Sequence, residues 1–361
     1  MKCVPAIALT LVILPAAPIL ADEARIPIFQ PTTITQPGYY VLTRDLSPAS
    51  ATAITIQADN VTVDLNGRAI NSAPSQGAIA VNGAFQNVTI RNGRLLGGDF
   101  GVNAVASAPG TVNLRVERVE IRNTVGGVLV IGAGIVQVIS CRITDSGVDG
   151  MFIEAQTGGT ALTGQFIDNV IDNVGRFGIE LAGGRGVEVR GNVITRFGTT
   201  TTRVFGLVLG SGFGGGGGNM VEGNVVRGSD DDIGIVVDVP NNLITNNVVS
   251  DMGSTGIGFL VEADGNRIVG NVVSTSNVGI SAVGTGYHNH FERNHVEANR
   301  SDGLSISTGY NLVDSNVIET NGAFGLNFVS APGNAYRNNM LRHNTSGAVS
   351  GTATDAGGNI L

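Results

Sequence analysis

Alternating hydrophobic and polar positions recur along the C-terminal half of the chain at intervals of about two dozen residues. Each unit contains an Asn-x4-Asn spacing, with an apolar residue two places after each Asn and mostly polar or small residues beside it. This period of two predicts strands with one buried face. The six pairs are Asn219/Asn224, Asn242/Asn247, Asn266/Asn271, Asn289/Asn294, Asn311/Asn316 and Asn334/Asn339. The positions predicted to face inward are Val221, Ile244, Ile268, Phe291, Val313 and Tyr336 after the first Asn, and Val226, Val249, Val273, Val296, Ile318 and Leu341 after the second.

A third segment, Gly followed by apolar-x-apolar, comes eight to ten residues after the second Asn of a unit. Each unit therefore predicts three short strands, joined by bends at which Asn and Gly tolerate left-handed backbone conformations. The same signals extend toward the N-terminus at Gly101, Gly127, Gly150, Gly178, Gly206, Asn169 and Asn192. A fixed period of this length is typical of stacked supersecondary units, and parallel crossovers are almost always right-handed. The sequence thus predicts an all-β, right-handed parallel β-helix of about twelve rungs.

The two ends of the chain differ from the repeat. Lys2 and the apolar run over 4–20, followed by the small residue Ala21 at the expected cleavage point, predict a signal peptide over 1–21 and a secreted or periplasmic protein. A retained membrane anchor is the weaker alternative. Residues 22–59 are expected to cap the open strand edge of the β-helix, which spans 60–350, and 351–361 to form a short tail.

Charge and cysteine content narrow the function classes. The formal net charge is −8, from 29 acidic and 21 basic residues, which argues against a nucleic-acid partner. After signal cleavage Cys141 is the remaining cysteine, so no intramolecular disulfide can form. Cys141 is expected to replace a bend Asn rather than to act as a nucleophile.

Two N-terminal stretches carry a family resemblance. Residues 34–46 (ITQPGYYVLTRDL) and 56–67 (IQADNVTVDLNG), together with the Asn units, resemble secreted bacterial right-handed parallel β-helix repeat proteins of the pectate-lyase-like superfamily. The resemblance implies the fold and a polysaccharide partner. Enzymatic members of that superfamily cleave or epimerise acidic polysaccharides, whereas many relatives have no known activity, and fold alone does not carry function.

The motifs of two enzyme classes in this superfamily are not present. Asp230-Asp231-Asp232 resembles the Asp-Asp of polygalacturonase-type hydrolases, but Gly-His-Gly is missing and Lys2 is removed with the signal peptide. The Asp-Pro-His motif of uronate epimerases is also missing. The resemblance therefore does not carry either mechanism to this chain.

Charged residues cluster where the third strands of four adjacent rungs begin. The candidate catalytic residues are Asp149, Glu154, Arg176, Glu180, Arg203, Asp231 and Asp232, with the carboxylates as base or metal groups and the arginines neutralising substrate charge. Phe152 and Asp238 are candidate substrate-binding residues, and Asp230, Asp231 and Asp232 could hold calcium. The alternative is a solvated ladder of weak surface ion pairs.

His288, His290 and His295 form a histidine cluster, in which His288 and His290 are expected to share one face of a strand. The cluster could chelate zinc or copper, or its members could be surface residues. Three functions stay open at this point. The first is a non-catalytic rod or adhesin that binds extracellular or cell-envelope polysaccharide. The others are a lyase-like enzyme on acidic glycans and a periplasmic metal-handling β-helix. We expect a monomer without a membrane span in the mature protein.

Overall fold

A computed structural model describes residues 25–106, 110–155, 161–198, 204–210, 216–228, 232–253, 257–284, 286–329 and 331–361. Strands follow one another throughout these ranges, and each pairs in parallel with the strand one rung away. The described ranges contain no helix, and hence none long and apolar enough to cross a membrane. The chain forms a parallel β-helix of about 13 turns, in which three columns of strands surround one core.

The first column, sheet 1, contains β1 (Ile26–Ile28), β3 (Gly38–Leu42), β5 (Val61–Asp64), β8 (Val88–Leu96), β10 (Val112–Arg122), β11 (Gly126–Ile139), β14 (Thr163–Ile167), β17 (Glu188–Arg190), β20 (Met220–Glu222), β23 (Leu243–Thr245), β26 (Arg267–Val269), β29 (His290–Glu292), β32 (Leu312–Asp314), β35 (Ala335–Arg337) and β38 (Thr354–Asp355). Sheet 2 contains β6 (Ala69–Asn71), β12 (Arg142–Ser146), β15 (Val170–Val174), β18 (Val193–Thr195), β21 (Val225–Arg227), β24 (Val248–Ser250), β27 (Val272–Ser274), β30 (His295–Glu297), β33 (Val317–Glu319) and β36 (Met340–Arg342). Sheet 3 contains β2 (Thr32–Ile34), β4 (Ile54–Ile56), β7 (Ile79–Asn82), β9 (Phe100–Val105), β13 (Met151–Ala155), β16 (Ile179–Ala182), β19 (Phe205–Gly210), β22 (Ile233–Val237), β25 (Ile257–Val261), β28 (Val278–Ala282), β31 (Leu304–Ile306), β34 (Phe324–Phe328) and β37 (Gly347–Gly351). The long strands β8 and β10 continue from sheet 1 into sheet 2, and β11 continues from sheet 3 into sheet 1.

The apolar positions that the repeat predicts to be inward do face the core. Val221 pairs in register with Ile244, and Val226 pairs with Val249, and all four side chains are fully buried. Tyr336 is the least buried of the twelve predicted inward residues, with 9% of its surface exposed. The prediction of fold class and strand orientation is confirmed.

Asparagine side chains form a hydrogen-bonded ladder along the bend between sheets 1 and 2. The Asn271 carboxamide oxygen accepts hydrogen bonds from the backbone N–H and the side-chain amide of Asn247, at 2.9 and 3.0 Å. The same contacts repeat from rung to rung, and at one end Cys141 donates its backbone N–H to Asn169. Cys141 therefore occupies an Asn position of the ladder, and burial raises the pKa of its thiol to about 11. A thiol in that state is not a nucleophile near neutral pH.

The residue before each ladder Asn adopts a left-handed conformation that turns the chain. Asn246, Arg293 and Ser315 have φ values of 55°, 52° and 58°, and glycines hold the equivalent place at Gly223 and Gly270. Because Asn and Gly tolerate this region best, the bend chemistry agrees with the fold.

The other two bends of each rung also carry ladders. The first Asn of each repeat unit forms one between sheets 3 and 1, for example Asn242 to Asn266 at 2.8 Å. A further ladder, between sheets 2 and 3, runs through Ser276, Asn299, Asn321 and Asn344. It was not predicted, although its three asparagines recur at intervals of 22 and 23 residues.

Parallel strands continue into both ends of the described chain. Within the segment assigned to a cap, β1 pairs with β3 and β2 pairs with β4. Within the predicted tail, β38 pairs with β35, and Ile360 forms a bridge to Met340. The domain boundaries at 22–59 and 351–361 stay predictions, and the signal peptide lies outside the described residues.

Candidate functional site

The outer face of sheet 3 brings three of the predicted site residues together. Phe152 and Glu154 in β13 alternate with the buried Met151 and Ile153, so their side chains point away from the core. Glu180 in β16 is the register partner of Phe152 on the next rung. An aromatic ring and two carboxylates thus share one half-exposed surface.

Asp149 and Arg176 form a two-point ion pair at the edge of this surface. The Arg176 Nε donates to Asp149 Oδ1 at 2.8 Å, and its Nη2 donates to Oδ2 at 2.5 Å. The backbone N–H of Phe177 donates to the same carboxylate at 3.2 Å. The Asp149 side chain is 10% exposed and the Arg176 side chain 40% exposed. This bidentate geometry fixes the guanidinium plane and leaves one face of it next to aromatic rings.

Aromatic rings border the ion pair. The Arg176 guanidinium lies 4.5 Å from the centroid of the Phe177 ring and 6.0 Å from that of Phe152. Phe177 stacks on Phe205 of the next rung, with centroids 5.3 Å apart and planes 10° from parallel. Phe177 and Phe205 were not predicted as site residues. The sequence signal that could have identified them is their position directly before the Gly of a third strand.

Glu180 is the titratable group whose environment is most relevant to chemistry. Burial raises the pKa of Glu180 to about 7, and the charges of Asp149 and Glu154 act in the same direction, while Arg176 opposes them. Its Oε2 atom is buried and finds no hydrogen-bond partner in the described part of the chain. A carboxyl group with a pKa near 7 can donate or accept a proton at neutral pH.

The polar surface ends one rung beyond Glu180. The next residues in the same outward register are Val208 and Val236, which are buried and join Ile233 in a small apolar cluster outside the core. Asp238 follows β22, two rungs from Glu180, and its charge acts on Glu262, whose pKa is raised first by burial and then by Asp238. The structure therefore separates Asp238 from the group around Glu180.

Asp232 is buried beside the bend at Gly198, where an added Cβ would lie 2.7 Å from Asp232 Oδ1. This close approach places the Asp232 carboxylate against the backbone of the preceding rung. Arg203, Asp230 and Asp231 lie outside the described residues, so their roles and the calcium site stay predictions.

A pocket of about 220 Å³ lies elsewhere, on sheet 1. It is lined by Asn87, Thr89, Asn113, Arg115, Ile135 and Gln137, among other residues. From Arg115 a chain of side-chain hydrogen bonds runs along the rod through Gln137 and Gln165 to Glu188, each of 2.9 Å. Hydrogen bonds from Gln165 and Arg190 lower the pKa of Glu188 on this surface, whereas the pKa of Glu180 is raised toward neutrality, so we rank the sheet 3 face first on chemistry.

The three predicted histidines do not form one cluster. His288 occupies a bend with φ of 54° and stacks on Tyr310, with centroids 5.4 Å apart. The expectation that it shares a strand face with His290 is wrong, because the left-handed bend separates the two positions. His290 lies on sheet 1 with its Nδ1 3.8 Å from Glu292, and burial lowers its pKa. His295 lies on sheet 2 beside two glutamates.

Comparison with known proteins identifies the family. Residues 110–296 and 219–360 match the family model described as right handed beta helix region. The chain belongs to this right-handed β-helix family. No curated protein matches its sequence.

Three solved structures are similar to the chain in fold. A double mutant of the periplasmic alginate epimerase AlgG has a TM-score of 0.57 at 12% identity, over 78% of this chain and 75% of that one. The A-module of the mannuronan C-5 epimerase AlgE6 of Azotobacter vinelandii has a TM-score of 0.53 at 16% identity, over 91% and 90%. A mutant tailspike protein of E. coli bacteriophage HK620, in complex with a pentasaccharide, has a TM-score of 0.57 at 12% identity, over 91% and 72%. At these identities the likeness establishes the right-handed β-helix fold.

Proposed function

We propose that the protein is an exported rod that binds a polysaccharide on the outer face of sheet 3, around Phe152 and Glu180. The observation that carries the proposal is the meeting of Phe152, Glu180 and the Arg176–Phe177 pair on adjacent rungs. Sugar rings are bound by an aromatic surface for their C–H face together with fixed polar groups for their hydroxyls. The sheet 3 face supplies both.

The similar structures support a carbohydrate ligand. Two of them are epimerases of alginate or mannuronan, and the third is a tailspike protein in complex with a pentasaccharide. Their fold gives a long strand surface on which a linear chain can lie parallel to the rod axis. AlgG is described as periplasmic, which agrees with the predicted signal peptide over 1–21.

Local charge bears on the class of glycan. The charges of Asp149, Glu154 and Arg176 all act on Glu180, and Asp149 already engages the Arg176 guanidinium at two points. A uronate carboxylate would therefore meet a predominantly negative surface unless a divalent cation bridged the charges. This arrangement favours a neutral polysaccharide, or an acidic one in the presence of calcium.

A second candidate function, catalysis by proton transfer, is favoured by Glu180. Its pKa of about 7 would let it protonate a glycosidic oxygen during hydrolysis, with Glu154 or Asp149 as the second carboxylate. Its ionised form could instead remove the proton α to a uronate carboxylate in an elimination or epimerisation. Both reactions would use the same carboxyl group on the same face.

One experiment separates the two functions. The mature protein is run through affinity gels that contain neutral glucans, mannans and galactans or acidic pectate and alginate, with and without calcium, and parallel incubations are analysed by mass spectrometry. Retardation by one glycan without new products supports the binding rod. Shortened, unsaturated or epimerised products that disappear in Glu180→Gln, while retardation persists, support catalysis. The absence of both retardation and products across the whole panel would contradict the proposal.

A further inference from the structure

A second cluster of potential ligands lies on sheet 2, away from the sheet 3 face. His295 and Glu297 are the outward residues of β30 and flank the buried Val296, and Glu319 is the register partner of Glu297 on β33. The repeat therefore fixes all three side chains on two adjacent strands of a rigid sheet. This cluster is independent of the proposed glycan surface.

The distances within the cluster are those of a metal site rather than of hydrogen bonds. The His295 Nε2 lies 3.5 Å from Glu297 Oε2 and 3.4 Å from Glu319 Oε1, and the three ligand atoms lie within 4.8 Å of one another. Nε2 is buried, yet it has no hydrogen-bond partner in the described ranges. Ligand atoms about 2.0–2.1 Å from a tetrahedral zinc ion are about 3.3–3.4 Å apart. Both His295 contacts match this spacing.

We propose that His295, Glu297 and Glu319 bind a divalent transition-metal ion of the zinc class, with the remaining coordination position open to solvent. One imidazole nitrogen and two carboxylate oxygens form a ligand set that suits zinc or its neighbours in the first transition row. Calcium takes six to eight oxygen ligands, so an imidazole-centred set of three does not suit it.

Electrostatics favour a cation at this point. Glu297 and Glu319 face one another on adjacent strands of a protein with a formal net charge of −8. Like charges directly opposite each other destabilise a sheet, and a bound cation removes that repulsion. Arg342 is the next residue in register after Glu319 and partly offsets the negative charge. A metal ion would tie the two rungs together at a place where the side chains alone repel.

The test is calorimetric titration of zinc chloride into tag-free, chelator-treated protein, followed by cobalt(II) substitution. The proposal predicts one zinc ion per chain, visible absorption bands of four-coordinate cobalt, and a rise in melting temperature of about 3 °C on metal addition. His295→Ala and Glu319→Gln should each weaken zinc binding at least tenfold. His290→Ala is the matched control, because His290 also lies beside a glutamate but on sheet 1. It should leave zinc binding unchanged.

Several results would overturn the proposal. The first is the absence of stoichiometric zinc binding by the wild-type protein. The second is zinc binding that survives His295→Ala in a variant with unchanged circular dichroism. The third is an equal loss of binding in His290→Ala, which would indicate adventitious binding to surface histidines.

Discussion

Arg176 binds both carboxylate oxygens of Asp149, whereas within the described residues it acts on Glu180 through its charge and not through an ion pair. Asp149 therefore stays paired, while Glu180, on the next strand, keeps a buried oxygen that no described residue satisfies. Burial, opposed by the charge of Arg176, thus raises the pKa of Glu180, while Asp149 is held in a two-point ion pair. This division of roles is the basis of the predictions for the sheet 3 face.

Replacing Glu180 should change how stability depends on pH. The folded-state pKa of Glu180 is raised from 4.5 to about 7, so its protonated form contributes stability that is complete below about pH 4.5 and is lost as the pH rises through 7. Glu180→Gln removes this loss and should be more stable than wild type at pH 8 by roughly 1–2 kcal/mol, after allowance for solvent screening. Denaturant melts from pH 4 to pH 9 measure the difference. A difference that does not change with pH would refute the assignment.

Asp172 provides a control of opposite sign. The hydrogen bond from Arg196 lowers the pKa of Asp172, so its stabilisation is present above the unfolded pKa near 4 and is lost as the pH falls. Asp172→Asn should therefore be less stable than wild type at pH 7 and should approach it in acid. The two variants together distinguish a site-specific effect from a general response to charge removal.

The ion pair should tune the proton affinity of Glu180 in both directions. Asp149→Asn removes a negative charge that raises the pKa of Glu180 and also frees Arg176, so this pKa should fall. Arg176→Gln removes the charge that lowers it, so the pKa should rise. Carbon-13 NMR titration of the Glu180 carboxyl group measures both shifts. Shifts of the same sign in the two variants would show that the ion pair does not control Glu180.

The Asn ladder and the core can be tested on two adjacent rungs. Val249→Asp places a carboxylate at a fully buried position and should abolish folding or cost at least about 3–5 kcal/mol. Asn271→Ala removes the contacts of one ladder residue and should cost less, about 2–3 kcal/mol. Denaturation midpoints measure both. A larger loss in Asn271→Ala than in Val249→Asp would contradict the inward register.

The bend residue beside the ladder should be tolerant. Asn246 has φ of 55°, and glycine holds its place at Gly223 and Gly270 in the adjacent rungs. Asn246→Gly keeps the left-handed conformation and should change stability by less than about 0.5 kcal/mol. Asn246→Val should destabilise by more than about 1 kcal/mol, because a β-branched residue does not tolerate this region. Equal effects of the two substitutions would indicate that the bend is not under this backbone constraint.

The repeat explains why the fold could be predicted from the sequence. The Asn spacing and the period-two pattern repeat in register, so each rung gave the same inward positions, and Val221, Val249 and Phe291 are buried as expected. The place of Cys141 in the unit predicts that it replaces an Asn of the ladder. The hydrogen bond from its backbone N–H to Asn169 confirms this prediction.

The candidate site was harder to predict, because it depends on contacts between rungs. The sequence placed Asp149 and Arg176 on one face, but the two-point pairing that isolates Glu180 required their relative orientation. Glu319 was missed as a partner of His295, since it lies 24 residues further along the chain and meets it across a strand pair. Phe177 was not predicted, because its contact with the Arg176 guanidinium depends on side-chain conformations that the sequence pattern does not specify.

Binding affinity on the two faces of the rod tests the central claim most directly. The glycan selected by the affinity gels is titrated by calorimetry into the wild-type protein, into Phe152→Ala on sheet 3, and into Gln137→Ala in the sheet 1 pocket. We predict at least about a fivefold loss of affinity in Phe152→Ala, since aromatic stacking supplies about 1 kcal/mol or more of binding, and no loss in Gln137→Ala. Loss of binding in Gln137→Ala with full affinity in Phe152→Ala would place the glycan on sheet 1 and contradict the account.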